Sequence, residues 1–307
     1  MRIVIAGGSG SLGRALTTAL VQRGHEAVVL TRAPRPEAER RGARDVLWDG
    51  RSLGPWRQEL DEPGTAVVNL AGRLVDARPT PENIADLTRS RVEATAALAE
   101  ASQRLERPLE RWVQASTTAI WSDAGEQLLD ETSPVPVGLP QMTGVAEHWE
   151  RAAQAAHCDH QVVLRTGIVL EAGTPALERL LMLARWGLGG TVGTGRQWVS
   201  WIHVEDWVRI MLAALGLDQP HLPDGVIVAS APHPVRNAEM MRALRGAVGR
   251  PLGLPTPAPL LRLGAVLLRT DPALGLTGRH ATSRVLDEAG FRFRHPHFEK
   301  AVTALLR

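Results

Sequence analysis

The chain opens on a short apolar run, Ile3-Val4-Ile5-Ala6, that ends in glycines, after which the hydrophobic period changes. Leu12, Ala15, Leu16, Ala19 and Leu20 recur at helical spacing up to Gly24, a residue suited to closing a helix. The alternation then repeats. Residues 27–30, 67–70, 112–115 and 162–164 are mainly apolar segments, interrupted only by Asn69 and Gln114, and read as strands buried in a parallel sheet. Thr80-Pro81 reads as an N-cap with proline at the first helical position, opening a helix to about Ala101. A further helix covers residues 142–156. This rhythm predicts an α/β fold, a doubly wound parallel Rossmann sheet.

After Leu170 the texture changes. A helix over 177–186 runs into Gly187-Leu188-Gly189-Gly190-Thr191-Val192-Gly193-Thr194-Gly195. A helix over 204–215 and a strand over 226–229 return to the main sheet, and the proline-rich remainder reads as small helices and loops. The division expected is a dinucleotide-binding domain over 1–170, rejoined by 200–230, and a smaller, mostly helical C-terminal domain on the substrate side over 171–307.

Composition sharpens this picture at a few points. The net charge is +2 and the basic residues are scattered, so a nucleic-acid partner is not expected. The apolar run over 260–268 is interrupted by Arg262 and is too short to span a bilayer. Arg2 leads straight into the first strand with no secretory signal, and the cytoplasm is the expected compartment. Cys158 is the only cysteine, which removes intramolecular disulfides and argues against a thiolate zinc site. The largest consequence comes from two scarcities: there is no tyrosine, and Lys300 is the only lysine.

Gly7-Gly8-Ser9-Gly10-Ser11-Leu12-Gly13 places glycines 7, 10 and 13 between a strand and a helix. One permits the tight turn, one lets backbone approach a pyrophosphate, and one packs the helix closely. The phosphates would rest on free N–H groups at the helix N-terminus, around Ser9, Ser11 and Leu12. At the end of the second strand an acid would grip a free ribose 2′-hydroxyl. This chain has Thr31-Arg32 followed by Arg35, a set suited to a 2′-phosphate and hence to NADP(H) over NAD(H).

With Val68-Asn69-Leu70-Ala71-Gly72, Ser90-Arg91-Val92, Leu164-Arg165-Thr166-Gly167-Ile168-Val169-Leu170, Gly193-Thr194-Gly195-Arg196-Gln197-Trp198 and Ser200-Trp201-Ile202-His203, the chain resembles the extended short-chain dehydrogenase/reductase superfamily. Within it, the chain is similar to the atypical epimerase-like branch, an NAD-dependent epimerase/dehydratase domain with the family's C-terminal domain. The resemblance implies that Asn69, Leu70, Ala71 and Gly72 line the cofactor. It puts Trp48 and Asp49 by the adenine, Ser116 or Thr117 near the nicotinamide, and Gly167 and Val169 at that same end. A plain turn at Ala71-Gly72 and a core position for Trp48 are the structural alternatives for those residues.

The family's usual chemistry uses a Tyr-x-x-x-Lys pair, in which tyrosine passes a proton and lysine lowers its pKa. Aligning the helix on Trp149-Glu150 puts Met142 and Ala146 at those places, and neither transfers a proton. Ser116 and Thr117 remain as candidate hydrogen-bond donors to a carbonyl. Val199 stands where sugar-nucleotide epimerases carry a phosphate-binding arginine, a place for which Arg196 is the nearest substitute. Arg165, Arg196, Gln197 and Trp201 are the expected substrate residues, with core filling the alternative for Trp198, Trp201 and Trp207. Glu147 and His148 fit an exposed helix face, His203 and Asp206 a structural helix start, and His157-Cys158-Asp159-His160 a solvated turn; no metal is expected.

The resulting expectation is an NADP(H)-binding oxidoreductase or epimerase of a small carbonyl or sugar-like substrate, monomeric or homodimeric. The alternative is an inert NADP(H)-binding regulator or scaffold.

Overall fold

Apolar side chains on both sides of each central strand demand a helical layer on each face, and the chain supplies both. The computed structural model describes residues 1–34, 42–75, 78–136, 142–259, 271 and 273–306. Strands β1 (Arg2–Ala6), β2 (Glu26–Thr31), β3 (Ala43–Leu47), β4 (Thr65–Asn69) and β5 (Leu109–Thr117) come first. The short β6 (Leu128–Leu129) precedes β7 (Cys158–Thr166), β8 (Ile168–Leu170), β9 (Trp198–Val199) and β10 (Trp201–His203). Then follow β11 (Gly225–Ala229), β12 (Val235–Arg236) and β13 (His280–Ala281). Seven of them form one sheet in the order β11-β7-β5-β4-β1-β2-β3, every pairing parallel. The chain moves outward through β2 and β3, then returns past β1 to build the other half. That reversal between β1 and β4 opens a crevice at the carboxyl ends of the strands.

The helices are α1 (Ser11–Gln22), α2 (Pro81–Gln103), α3 (Met142–Ala153), α4 (Pro175–Arg185), α5 (Val204–Ala214) and α6 (Asn237–Ala247), with shorter ones at Ala273–Leu276, Arg284–Glu288 and Phe298–Leu305. Alternate residues of β1 divide between the layers. Ile3 and Ile5 join Leu16 and Leu20 of α1 and Ile210 of α5, whereas Val4 and Ala6 join Leu98 of α2 and Ala153 of α3. A smaller core gathers Leu177 and Leu181 of α4, Met241 of α6 and Phe298 of the last helix.

Local signals act as read. The Thr80 hydroxyl accepts from the Asn83 amide with Pro81 at the first helical position. After α1, Gly24 takes φ +78° while the Gly24 and His25 amides bond back to Val21 and Leu20. Two expectations need correction. Residues 158–160 are not a turn: Cys158–Thr166 is one extended strand, with His160 paired to Arg111 of β5. The helix expected to reach 156 stops at Ala153. The run over 260–268 and Arg35 lie outside the described residues. Among the described residues no helix is long and apolar enough to cross a membrane.

The C-terminal segment is tied to α5 by buried polar groups. Asp206 is fully buried and accepts from the Arg294 and His295 amides, both at 2.8 Å. His203 caps α5, its Nδ1 accepting from the Glu205 amide at 3.1 Å, and its ring stacks on His295. Glu205 Oε2 and His295 Nε2 bond to each other at 3.1 Å, so each of the three side chains spends at least one polar atom within this cluster. Burial, followed by the neighbouring His295, holds His203 below its ordinary pKa of 6.5. The unfolded chain therefore takes up this proton at higher pH than the folded one. Its contribution is present above about pH 6.5 and is lost as pH falls toward the depressed folded value. Urea midpoints should drop between pH 7 and pH 5.5, and His203→Asn, which can still cap, should flatten that drop. Residual slope is expected, since His25 and His280 are also held low by burial. An unchanged slope in the variant would exclude His203 as a source.

Candidate functional site

A cleft of about 1050 Å³ lies at the switch point. Gly7, Ser9 and Gly10 form one side, Leu70 to Leu74 and the Asp86–Ala94 stretch of α2 the other, and Thr31, Arg32, Trp48 and Asp49 one end. Glycine makes this geometry possible. Gly7 has φ +78°, and a Cβ there would stand 2.6 Å from the Leu70 carbonyl oxygen. A Cβ on Gly13 would lie 2.4 Å from the Gly8 Cα, so the helix presses on the turn that precedes it. Helix α1 starts with no side-chain cap and no acid in its first turn. Its first N–H groups, around Ser11 and Leu12, thus remain available to an anion.

At the adenine end Arg32 is exposed and makes no hydrogen bond or ion pair with any described residue. Thr31 closes β2, its hydroxyl accepting from the Ala33 amide. Trp48 is both wall and core: 4 % exposed, it packs on Trp56 and donates to the Ser52 carbonyl. Asp49 organises the turn beside it. Bonds from the Ser52 hydroxyl, then from the Ser52 and Arg51 amides, hold its carboxyl down at about 2. Asn69 is fully buried and shapes the cleft from behind, donating to Thr95 and Gln114 while accepting from the Ala71 amide at 3.1 Å.

Beyond this cleft the carboxyl ends of β5 and β7 hold the candidate reacting groups. The Ser116 hydroxyl donates to Glu150 Oε1 at 2.5 Å. Arg165 donates to both oxygens of the same carboxylate, each at 2.9 Å, and its guanidinium covers the Trp121 ring. Thr117 differs: its oxygen accepts from the Ala119 amide, and its own O–H donates to no described residue. Met142 and Ala146 are buried among apolar side chains, Met142 with Leu87 and Val145, Ala146 with Ile120 and Trp121. Gly167 allows close packing, since a Cβ would meet the Ser200 carbonyl oxygen at 2.8 Å, and Val169 packs on the sheet core. His148 is exposed and Glu147 pairs with Arg151 on the outer face of α3.

Three of the four expected substrate side chains are committed elsewhere. Trp201 is fully buried, donating to the His233 carbonyl and packing edge-on against Phe298, so it fills core and lines no cleft. Arg165 spends its fork on Glu150. Gln197 braces the glycine loop by donating to the Val192 and Gly275 carbonyls. Arg196 is exposed. Its neighbour Trp198 is sandwiched between His280 and Arg236, and Arg236 pairs with Glu126. Glu150 and Arg91 were invisible as partners in the sequence, because their contacts join elements whose relative placement only the fold decides.

A model of the NAD dependent epimerase/dehydratase family matches residues 3–228, and one of a domain of unknown function, DUF1731, matches 256–305. Epimerase family protein SDR39U1 of Bos taurus is 32% identical over 315 residues, covering 100% of both chains. Epimerase family protein YfhF of Bacillus subtilis (strain 168) is 31% identical, over 100% of this chain and 98% of its own. The crystal structure of human epimerase family protein SDR39U1 (isoform2) with NADPH is similar with a TM-score of 0.83 at 30% identity, covering 100% of this chain and 99% of that one. The chain belongs to the NAD dependent epimerase/dehydratase family.

Proposed function

We propose that the switch-point cleft binds NADP(H), and that the chain is an oxidoreductase or epimerase of a small carbonyl or sugar-like substrate working without a tyrosine–lysine pair. The observation that carries the cofactor choice is Arg32: an exposed guanidinium with no partner among the described residues, standing directly after β2 where an acid would bind a free 2′-hydroxyl. A 2′-phosphate supplies the anion that this fork lacks. The open N-terminus of α1 and the side-chain-free wall at Gly7, Gly10 and Gly72 fit a diphosphate.

The nicotinamide group would give or take the hydride. This chain's own work is to bind the anions, hold the reacting groups together and keep a donor on the substrate oxygen. Thr117 is the better donor of the two candidates, because the Ser116 proton is already given to Glu150. A hydroxyl in this role stabilises developing negative charge rather than delivering a proton, so the proton would come from water or substrate. The Val199 position and the closed Arg165–Glu150 pair weigh against a nucleotide-sugar substrate, whose diphosphate needs positioned cations.

A second reading, an inert NADP(H)-binding regulator, is favoured by the burial of Met142 and Ala146 at the places of the missing pair and by the commitment of Glu150, the carboxylate of α3 at this end, to Ser116 and Arg165. NADPH consumption across a panel of small aldehydes and ketones separates the two readings: turnover supports the enzyme, and tight binding with no turnover on any carbonyl supports the regulator. The cofactor choice has its own test in calorimetry. Arg32→Ala should weaken NADPH roughly 10- to 150-fold, as expected for about 1.5–3 kcal/mol of charged hydrogen bonding, and leave NADH unchanged. Equal affinity of wild type and variant for NADPH would remove the argument for a 2′-phosphate site.

A further inference from the structure

Arg91 is a buried cation with no carboxylate partner among the described residues. The side chain leaves the inner face of α2 and is 6 % exposed. Its Nη1 donates to the Leu87 carbonyl at 3.1 Å and its Nη2 to the Arg73 carbonyl at 3.0 Å, while Nε has no partner. The guanidinium lies 5.0 Å from the ring centre of Trp149, whose own N–H is buried and unpartnered. Burial alone brings its pKa down to about 10, with no carboxylate pulling it back. The nearby acid, Asp86, is shared between Arg73 and Arg89. Taking a charge out of water without a counterion is strongly unfavourable, and neutral carbonyls and one ring face compensate only part of that cost. Arg165, equally buried, shows the usual remedy, a carboxylate held at two points.

The place of this charge suggests what completes it. A Cβ on Gly72 would stand 3.0 Å from the Arg91 Cζ and 3.2 Å from its Nε. Gly72 lines the cleft, as do Ser90 and Ala94 on the same helix, and the preceding Leu70–Ala71 backbone abuts Gly7. Only one side-chain-free residue therefore separates the guanidinium from the space facing the α1 N-terminus. In a low-dielectric wall such a charge acts on a ligand through its field, without needing direct contact.

We propose that Arg91 is the electrostatic anchor for the diphosphate bridge of the dinucleotide, set behind Gly72 and opposite the N–H groups of α1. The role differs from that of Arg32: Arg32 selects the 2′-phosphate, whereas Arg91 serves the anion that both nicotinamide dinucleotides share. The inference rests on the reading of the cleft as an NADP(H) site. The dinucleotide's diphosphate would supply the counterion that no described residue provides.

The experiment is calorimetric titration of wild type, Arg91→Met, Arg91→Lys and Arg32→Ala with NADPH and with NADH, at low and high salt, alongside thermal melts. Arg91→Met should bind both nucleotides at least ten-fold more weakly, with a shallower salt dependence. Arg91→Lys should stay within about three-fold of wild type, and Arg32→Ala should lose affinity for NADPH only. Folded Arg91→Met that binds both nucleotides as tightly as wild type overturns the proposal. So does Arg91→Lys falling as far as Arg91→Met, because the hydrogen bonds to the Leu87 and Arg73 carbonyls, rather than the charge, would then be what matters. If Arg91→Met does not fold, Arg91→Gln, which keeps a donor but no charge, takes its place with the same two outcomes. Wild type binding neither nucleotide overturns the cleft reading itself, and this inference with it.

Discussion

Gly13→Val should abolish measurable NADPH binding while leaving a chain that still folds. A Cβ at this position meets the Gly8 Cα at 2.4 Å and the Gly7 carbonyl oxygen at 2.6 Å, both backbone atoms that cannot rotate away. The start of α1 must then move off the turn, and the N–H groups that would hold the phosphates move with it. Overpacking of this kind typically costs about 1–3 kcal/mol, which thermal denaturation measures directly. The loss of binding should exceed what that destabilisation explains. Gly24→Ala is the control. It sits at φ +78° with nothing within 4 Å of the added Cβ, so it strains the backbone without touching the cleft. A modest loss of stability with full binding is expected there. Comparable binding by Gly13→Val and Gly24→Ala would mean the glycine turn holds no phosphate.

The second large effect concerns stability. Glu150→Ala should cost about 3–5 kcal/mol, the usual penalty for stranding one member of a buried ion pair. Arg165 keeps only 8% of its side chain exposed and has no other carboxylate at hand, and Ser116 loses its acceptor as well. Replacing both members with apolar residues of similar size, Glu150→Leu with Arg165→Met, should recover most of that loss, because the desolvation cost of both charges disappears. Urea denaturation of the three proteins gives the answer. A cost below about 1 kcal/mol for Glu150→Ala would place the pair among solvated surface bridges.

Much of the main sheet was readable in the sequence because a doubly wound fold repeats its signals. Apolar runs mark strands buried on both faces, and Thr80-Pro81 and Gly24 mark helix ends by local chemistry that needs no tertiary context. The glycine spacing was readable for the same reason: turn, approach and packing are constraints within seven residues. The misreadings have a common physical origin. Trp201 and a cleft-lining tryptophan have the same composition and neighbours, and only the approach of His233 and Phe298 places this one in the core. The polar stretch from His157 to His160 looks like a turn, yet parallel pairing with β5 extends it from Cys158 onward. The Arg165–Glu150 pair joins α3 to β7, and Arg91 meets Gly72 from α2 to the β4 loop. Such contacts depend on how elements dock, which no local pattern encodes. The reacting end is the part least accessible from the sequence. The absence of tyrosine excludes the usual chemistry, but only the structure separates Thr117, with a free donor, from Ser116, whose proton is committed.

The account's central claim is that the switch-point cleft is an NADP(H) site. Its most direct test is calorimetric titration of the wild-type chain, stripped of nucleotide and refolded, with NADPH and NADH in parallel. The account predicts one site per chain, with NADPH bound at least ten-fold more tightly than NADH. Binding of neither nucleotide by well-folded protein would contradict it, and equal binding of both would contradict the role given to Arg32.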